Sequence, residues 1–525
     1  MARNNIFRTK TVEQSIADTD EPRSKLRKVL GAWDLTVFGV AVVIGTGVFT
    51  LAASTAGNMA GPAVSVSYLL AAAACGLAAL CYAEFASTVP VAGSAYTFSY
   101  VVFGESIAWI LGWDLILEFA LAAAVVSKGW STYLQQSVDL VTGAHLPTSL
   151  NLAGVHVDWP AVLLVAVLTT MLALGTKLSS RVNQVITAIK ITVVLLVIVV
   201  GISHIDPANY SPFIPPSATP DAGNSGSNQS LFSLVFGGQT STYGIFGVLA
   251  AGSLLCFAFI GFDMVATAAE ETRNPQRDMP RGILAALAIV TVLYISVSLV
   301  VTGMRPYTAL KSKPDGTKAT MATAFEDLGV HWAATVIAIG ALVGLTTVTI
   351  VTLLGQTRVL FAMSRDGLMP RQLSVTGSRG TPVRATVLVG VVVAAIAGLS
   401  PADKLEEMVN IGTLSAFVLV SIGVIVLRRT RPNLPRGFRT PLVPLVPILA
   451  ALACLWLMFN LSVLTWVRFL VWMVIGGVVY FAYGMRHSVL GKRQRAADSA
   501  TAGAQPAAEA GAEPAAGAAD TPVRG

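Results

Sequence analysis

Charge is what this 525-residue chain has least of. Asp, Glu, Lys and Arg make up 12% of it, half of the roughly 25% usual in soluble domains, while 54% is apolar. So few charges cannot cover the three or four globular surfaces that the length alone would suggest. The chain therefore reads as a polytopic membrane protein. Cysteine is scarce as well. Cys75, Cys81, Cys256 and Cys454 all fall in apolar runs. Cys75 and Cys81 lie six apart on one expected helix and point different ways, which argues against a disulfide framework or a metal cluster. The five histidines (145, 156, 204, 331, 487) lie in loops or near span ends without HExxH spacing. No metal, cofactor or intramembrane enzyme is expected. Residues 204–243 contain no Lys or Arg, and the first 33 residues contain no apolar core, so a cytoplasmic segment is expected there and no cleavable leader.

What is present is a series of twelve apolar segments of spanning length, taking ~20 residues as the requirement. They run over 34–57, 63–87, 106–130, 159–176, 182–203, 244–269, 282–303, 332–357, 385–400, 406–427, 441–460 and 466–485. An even number of spans puts both termini on one side. That side holds 27 of the 35 Lys and Arg, the other side holds 6, and Lys128 and Lys190 fall within spans. The asymmetry predicts cytoplasmic termini and accounts for the net charge of +7 without a nucleic-acid partner. Residues 204–243, rich in Pro, Ser, Asn and Gly, read as an external loop. Residues 488–525 read as a disordered cytoplasmic tail, since 496–525 are mostly Ala, Gly, Pro and Glu. The alanine-rich bias suggests a bacterial plasma membrane.

Two spans are interrupted. Ile44-Gly45-Thr46-Gly47 sets two glycines near the middle of the first, and Ile260-Gly261-Phe262-Asp263 sets a glycine and an acid near the middle of the sixth. VVIGTGVFTLAA aligns faintly with AFIGFDMVATAA, 216 residues later. Five spans begin at each copy, and five is odd, so the second copy is inverted in the membrane. Matching interruptions in two inverted halves point to a secondary transporter's binding site. Such breaks suit a zwitterion. A half-helix N-terminus offers N–H groups and partial positive charge to a carboxylate, and the opposite end offers carbonyls to an ammonium.

At these residues the chain resembles the amino acid–polyamine–organocation superfamily, on its cationic amino acid transporter branch. The likeness covers roughly residues 26–487. It rests on IGTGVF (44–49), CYAEFASTVPVAGSAYTF (81–98), GWDLILEFALA (112–122), RVNQVITAIK (181–190), FAFIGFDMVATAAEETRNPQRDMPRGI (257–283) and GQTRVLFAMSRDGLMP (355–370). The resemblance implies an all-α fold of twelve transmembrane helices in a five-plus-five inverted repeat. One repeat would cover 34–203 and the other 244–427, with two further helices in 428–487. It further implies that the substrate is held along Val43-Ile44-Gly45-Thr46-Gly47, with its carboxylate on the N–H groups of Gly45, Thr46 and Gly47. Its amino group would meet carbonyls near Val43, Phe257, Ala258 and Ile260, and Phe257 and Ile260 would bound the side-chain pocket.

Three ionisable groups carry further expectations. Lys190, about eight residues into the fifth span, either snorkels to the interface or sits buried as a functional cation. The resemblance places it where some relatives hold sodium, with a role in loading and releasing a proton. Glu118 is either a structural acid or, as the resemblance implies, a selector of cationic side chains. Asp114, one turn before it, caps or pairs with a neighbour. The loop around 270–281 is expected to gate the inner side by pairing with Glu84 or Arg358. Thr346 and Thr347 either line the site near Lys190 or bond to their own helix. The expected function is sodium-independent, proton-coupled transport of cationic or small neutral L-amino acids, with the lipid bilayer, the amino acid and the proton as partners. An amine or polyamine carrier and a non-transporting amino acid receptor are the alternatives.

Overall fold

A computed structural model of the chain describes residues 8–10, 28, 30–89, 91, 94–152, 155–175, 180–218, 229–236, 242–312, 318–377 and 381–504. Much of the expected N-terminal segment, parts of the 204–243 loop and the tail from 505 lie outside the described residues. The fold is that of a multi-pass helical membrane protein. Among the described residues eight helices are long and apolar enough to cross a membrane, and four shorter apolar helices accompany them.

The principal helices are α1 (Ala32–Val43), α2 (Val64–Thr88), α3 (Glu105–Thr142), α4 (Trp159–Ala173), α5 (Ser180–Ile202), α6 (Gly244–Leu255) and α7 (Phe262–Thr267). They continue with α8 (Pro275–Met304), α9 (His331–Arg365), α10 (Val383–Leu399), α11 (Ala402–Thr430), α12 (Leu445–Phe459), α13 (Val463–Val479) and α14 (Val489–Ala504). Many apolar side chains on these helices stay exposed, such as Val292, Val391, Leu470 and Val474. That is the outward face a lipid solvent allows. Buried faces carry small residues that let helices approach closely: a Cβ on Gly340 of α9 would lie 2.4 Å from the Val193 side chain of α5.

Two sets of helices pack closely, and α5 and α11 touch both. α8 packs extensively against α2 and α1, and α7 joins them. α9 packs along α3, α4 packs on α10, and both of these touch α3. The only strands among the described residues are an antiparallel hairpin, Ser149–Leu152 with Val155–Asp158, which leads into α4. Asp158 caps that helix through the Ala161 N–H (3.3 Å), as short acidic side chains do at a helix start.

The tail differs from expectation. Residues 489–504 form a helix rather than a disordered segment. Its start is held by Ser488, whose hydroxyl accepts from the Gly491 N–H (3.1 Å) and donates to Glu105. Leu490 is buried beside it. Composition alone cannot register such an anchor, because the partner lies nearly four hundred residues earlier in the chain.

Candidate functional site

The first interruption begins where α1 ends. Ile44 adopts an extended backbone (φ −70°, ψ 96°). Helical bonding resumes when the N–H groups of Val48 and Phe49 donate to the Gly45 carbonyl (3.3 and 3.2 Å). The N–H groups of Gly45, Thr46 and Gly47 thus stand ahead of the first bonded donor of the new half-helix, where a helix presents free donors. The second interruption is more abrupt. After α6 comes a single 3₁₀ turn, Cys256–Phe259, then extended Ile260 (φ −60°, ψ 135°) and Gly261 at φ 122°, before α7 begins. Only glycine takes that last conformation without strain.

The two interruptions touch. A Cβ on Gly47 would lie 2.5 Å from the Cα and Cβ of Ala258, and one on Gly261 would lie 2.7 Å from the Val42 side chain. Carbonyls freed by the unwinding are satisfied by hydroxyls that sequence reasoning did not single out. Tyr294 donates to the Val43 carbonyl (2.7 Å), Tyr68 to that of Gly47 (2.7 Å) and Tyr133 to that of Phe49. Asn410 does the same for Leu254 at the end of α6 (3.1 Å). Lipid offers no such donor, so the protein must.

A small cavity lies against the crossing. Its walls are Val42, Val43, Gly45, Thr46 and Gly47 from the first interruption and Phe257, Ile260 and Met264 from the second. Ala122 and Val126 of α3 and Val348 and Thr352 of α9 complete it. Of the expected residues, Val43, Gly45, Thr46, Gly47, Phe257 and Ile260 line it, whereas Ile44, Ala258, Glu118 and Lys190 do not. Ile44 and Ala258 are buried behind the wall. Six lining residues were missed, Val42, Ala122, Val126, Met264, Val348 and Thr352; of these, Ala122 and Val126 lie four and eight positions after Glu118. Helical spacing of the acid could have found them. The lining carries no charged side chain, and Thr352 spends its hydroxyl on carbonyls of its own helix (3.0 Å).

Lys190 is fully buried. Its ammonium donates to the carbonyls of Ala41 (2.6 Å) and Ile44 (3.2 Å), which closes the C-terminal end of α1. A cation belongs there, opposite the negative end of a helix dipole. Its methylenes lie along the Gly344 backbone of α9. Glu118 is also fully buried, and neither of its oxygens has a hydrogen-bond partner among the described residues. Asp114 accepts from Ser415 on α11 through one oxygen. Thr346 and Thr347 bond to their own helix through Leu342 and Gly344.

The polar pairs at the opposite end of α3 from the hairpin differ partly from expectation. Arg358 meets Glu271 of the loop before α8 (3.0 Å). Glu84, however, does not take part. It is clamped by Arg428 (2.7 and 2.9 Å), with Arg436 at 3.3 Å and the Thr440 N–H at 2.8 Å. The segment after α11 supplies these partners because it folds back over the end of α2, a return that only packing decides.

The chain matches the family model described as amino acid permease over residues 30–480. It is 45% identical to the branched-chain amino acid permease BcaP of Bacillus subtilis (strain 168), across 93% of this chain and 99% of that protein. It is 42% identical to the methylthioribose transporter of the same organism, across 93% and 100%. Identity to cationic amino acid transporter 4, vacuolar, of Arabidopsis thaliana is 35%, across 82% and 68%.

Proposed function

Because the chain belongs to the amino acid permease family, we propose that it carries neutral L-amino acids with aliphatic side chains, by alternating access and coupled to protons. The observation that carries this reading is the composition of the cavity. Gly45, Thr46 and Gly47, whose N–H groups precede the first bonded donor of the new half-helix, line one end to take a carboxylate. The remaining wall, from Ala122, Val126, Phe257, Ile260, Met264 and Val348, is apolar and uncharged. The Val43 and Phe257 carbonyls each already accept one hydrogen bond, from Tyr294 and from the Ile260 N–H. Each keeps a second lone pair for the substrate ammonium. Each apolar methylene placed against such a wall contributes about 0.8 kcal/mol, whereas a guanidinium or a second ammonium would find no counter-charge on it. The resemblance to permeases named for branched-chain amino acids supports the same side-chain class.

In this reading the chain crosses the membrane twelve times, with both termini in the cytoplasm. Residues 34–203 and 244–427 form the two inverted repeats, and 428–487 adds two helices. The group of α1, α2 and α6–α8 rocks against the group of α3, α4, α9 and α10 around the crossing. Lys190 stands in for a bound cation between α5 and the end of α1, which makes transport independent of sodium. A second reading, methylthioribose, is favoured by the 42% identity to that carrier. That sugar has neither carboxylate nor ammonium and would leave the Gly45–Gly47 donors without a charged partner.

The test is uptake of labelled leucine, alanine, arginine and methylthioribose into proteoliposomes in sodium-free buffer, with and without an inward proton gradient. Leucine uptake stimulated by the gradient is the expected result. A preference for arginine overturns the aliphatic assignment, and a preference for methylthioribose replaces it. Binding of leucine without uptake of any compound would mark a receptor.

A further inference from the structure

The loop between α11 and α12, residues 431–444, is fastened to the helices around it. The Phe438 N–H donates to the Ser87 hydroxyl of α2 (3.2 Å), the Thr440 N–H to Glu84 (2.8 Å) and the Thr440 hydroxyl to the Leu80 carbonyl (3.0 Å). The Arg436 guanidinium knits the loop from within, donating to the carbonyls of Arg431 (2.8 Å) and Pro432 (2.9 Å). A Cβ on Gly437 would lie 2.3 Å from the Gln276 carbonyl, so the first turn of α8 abuts the loop.

This platform carries more positive charge than the fold uses. Arg428 and Arg436 share one carboxylate, Glu84, and Arg439 lies within electrostatic reach of Arg436. Arg429, Arg439 and, on the adjoining turn of α8, Arg277 are exposed. Among the described residues none of these three pairs with a carboxylate. Even with Asp278, the acid of that turn, positive charge is in excess. Exposed aliphatic side chains border the same arginines. Ile422 lies seven residues before Arg429 on α11, nearly two whole turns, and so on the same face about 10 Å deeper. Leu442 and Leu445 lead from Arg439 into α12, which packs on α11.

We propose that this surface binds an anionic glycerophospholipid, its phosphate among Arg429, Arg439 and Arg277 and its acyl chains along Ile422, Leu442 and Leu445. The proposal rests on the chain crossing a membrane and not on which substrate it carries. A guanidinium grips a phosphate through paired N–H donors. These guanidiniums stand where a charged rim meets lipid-facing aliphatics, the place at which basic clusters attract anionic lipid. A soluble phosphate would make no use of the aliphatic border, and an acidic protein segment would have to displace lipid to reach it. A headgroup held here joins the end of α11 to the start of α8. It also offsets the positive charge crowded around Glu84, and so stabilises this end of the fold.

The experiment titrates the full chain in detergent with phosphatidylglycerol, phosphatidylcholine or inorganic phosphate. Native mass spectrometry counts the retained lipid, and thermal unfolding reads stability. Phosphatidylglycerol is expected to be retained in preference to phosphatidylcholine and to raise the unfolding temperature. Each arginine near an anionic surface is worth about fivefold in affinity, so Arg429→Gln combined with Arg439→Gln weakens retention by about 30-fold. The control, Arg384→Gln, removes an equally exposed arginine at the start of α10 and is expected to retain lipid as wild type does. Wild type that holds both lipids equally overturns the proposal, whatever the variants do. A control that loses as much as the paired variant also overturns it, because diffuse surface charge then explains the binding. Inorganic phosphate that raises the unfolding temperature as far as phosphatidylglycerol does overturns it too, in favour of a soluble anion.

Discussion

Gly47→Ala tests the closest approach between the two interruptions. The added methyl would sit 2.5 Å from both Cα and Cβ of Ala258, against an optimal carbon–carbon separation of about 3.5–4.0 Å. Neither partner is the far end of a flexible side chain, so the two interruptions must part by roughly 1 Å. Forcing a methylene into a packed site costs about 1–3 kcal/mol. If the strain falls on the closed, substrate-holding arrangement, leucine affinity drops by roughly 5- to 150-fold, at 1.4 kcal/mol per factor of ten. The control is Gly477→Ala, where an added Cβ meets nothing within 4 Å. Titration calorimetry in detergent gives the Kd, and thermal unfolding of the same samples separates lost binding from lost fold. A Gly47→Ala protein that binds leucine within twofold of wild type refutes the view that this contact closes the site.

Other expectations use the same assays. Ala122→Leu fills the cavity from α3, so leucine affinity falls by roughly 5- to 150-fold while glycine, with no side chain to clash, is spared; competition uptake checks this. Glu84→Gln weakens the clamp on Arg428 and Arg436. A fully buried pair costs about 3–5 kcal/mol to break, but the Arg428 side chain keeps 27% of its exposure, so a smaller fall in thermal stability is expected, without a change in substrate preference. Lys318 follows α8 and joins Glu406 (2.8 Å) and Asp403 (2.7 Å) of α11. Burial opposes its charge, but the two carboxylates outweigh burial and hold the ammonium above its ordinary range. Its contribution is therefore present at neutral pH, fades in acid as its partner Glu406 takes on a proton, and is lost as the solution rises through that raised lysine value. Lys318→Met should change the rate of leucine uptake and leave the shape of its pH profile between about 5 and 8 as in wild type.

The apolar segments and the two interruptions could be read from the sequence because each is a local property. A segment of about 20 apolar residues with no charge is committed to lipid wherever its neighbours lie. Ile44-Gly45-Thr46-Gly47 and Ile260-Gly261 break a helix through their own backbone freedom. Lys190 could be singled out because a lysine within such a segment needs a partner. The Ala41 and Ile44 carbonyls that supply it became visible only once α5 lay against the end of α1. The rest of the cavity wall was decided by tertiary structure. Val348 and Thr352 have unremarkable side chains, and what makes them wall rather than core is that α9 packs along α3 beside the crossing. The hydroxyls of Tyr68, Tyr133 and Tyr294 and the Arg428 that holds Glu84 arrive from between about twenty and three hundred and fifty residues away in the chain. A hydrogen bond across that separation depends on which helix faces turn toward each other. That choice is made by packing many side chains at once, and no short stretch of sequence contains it.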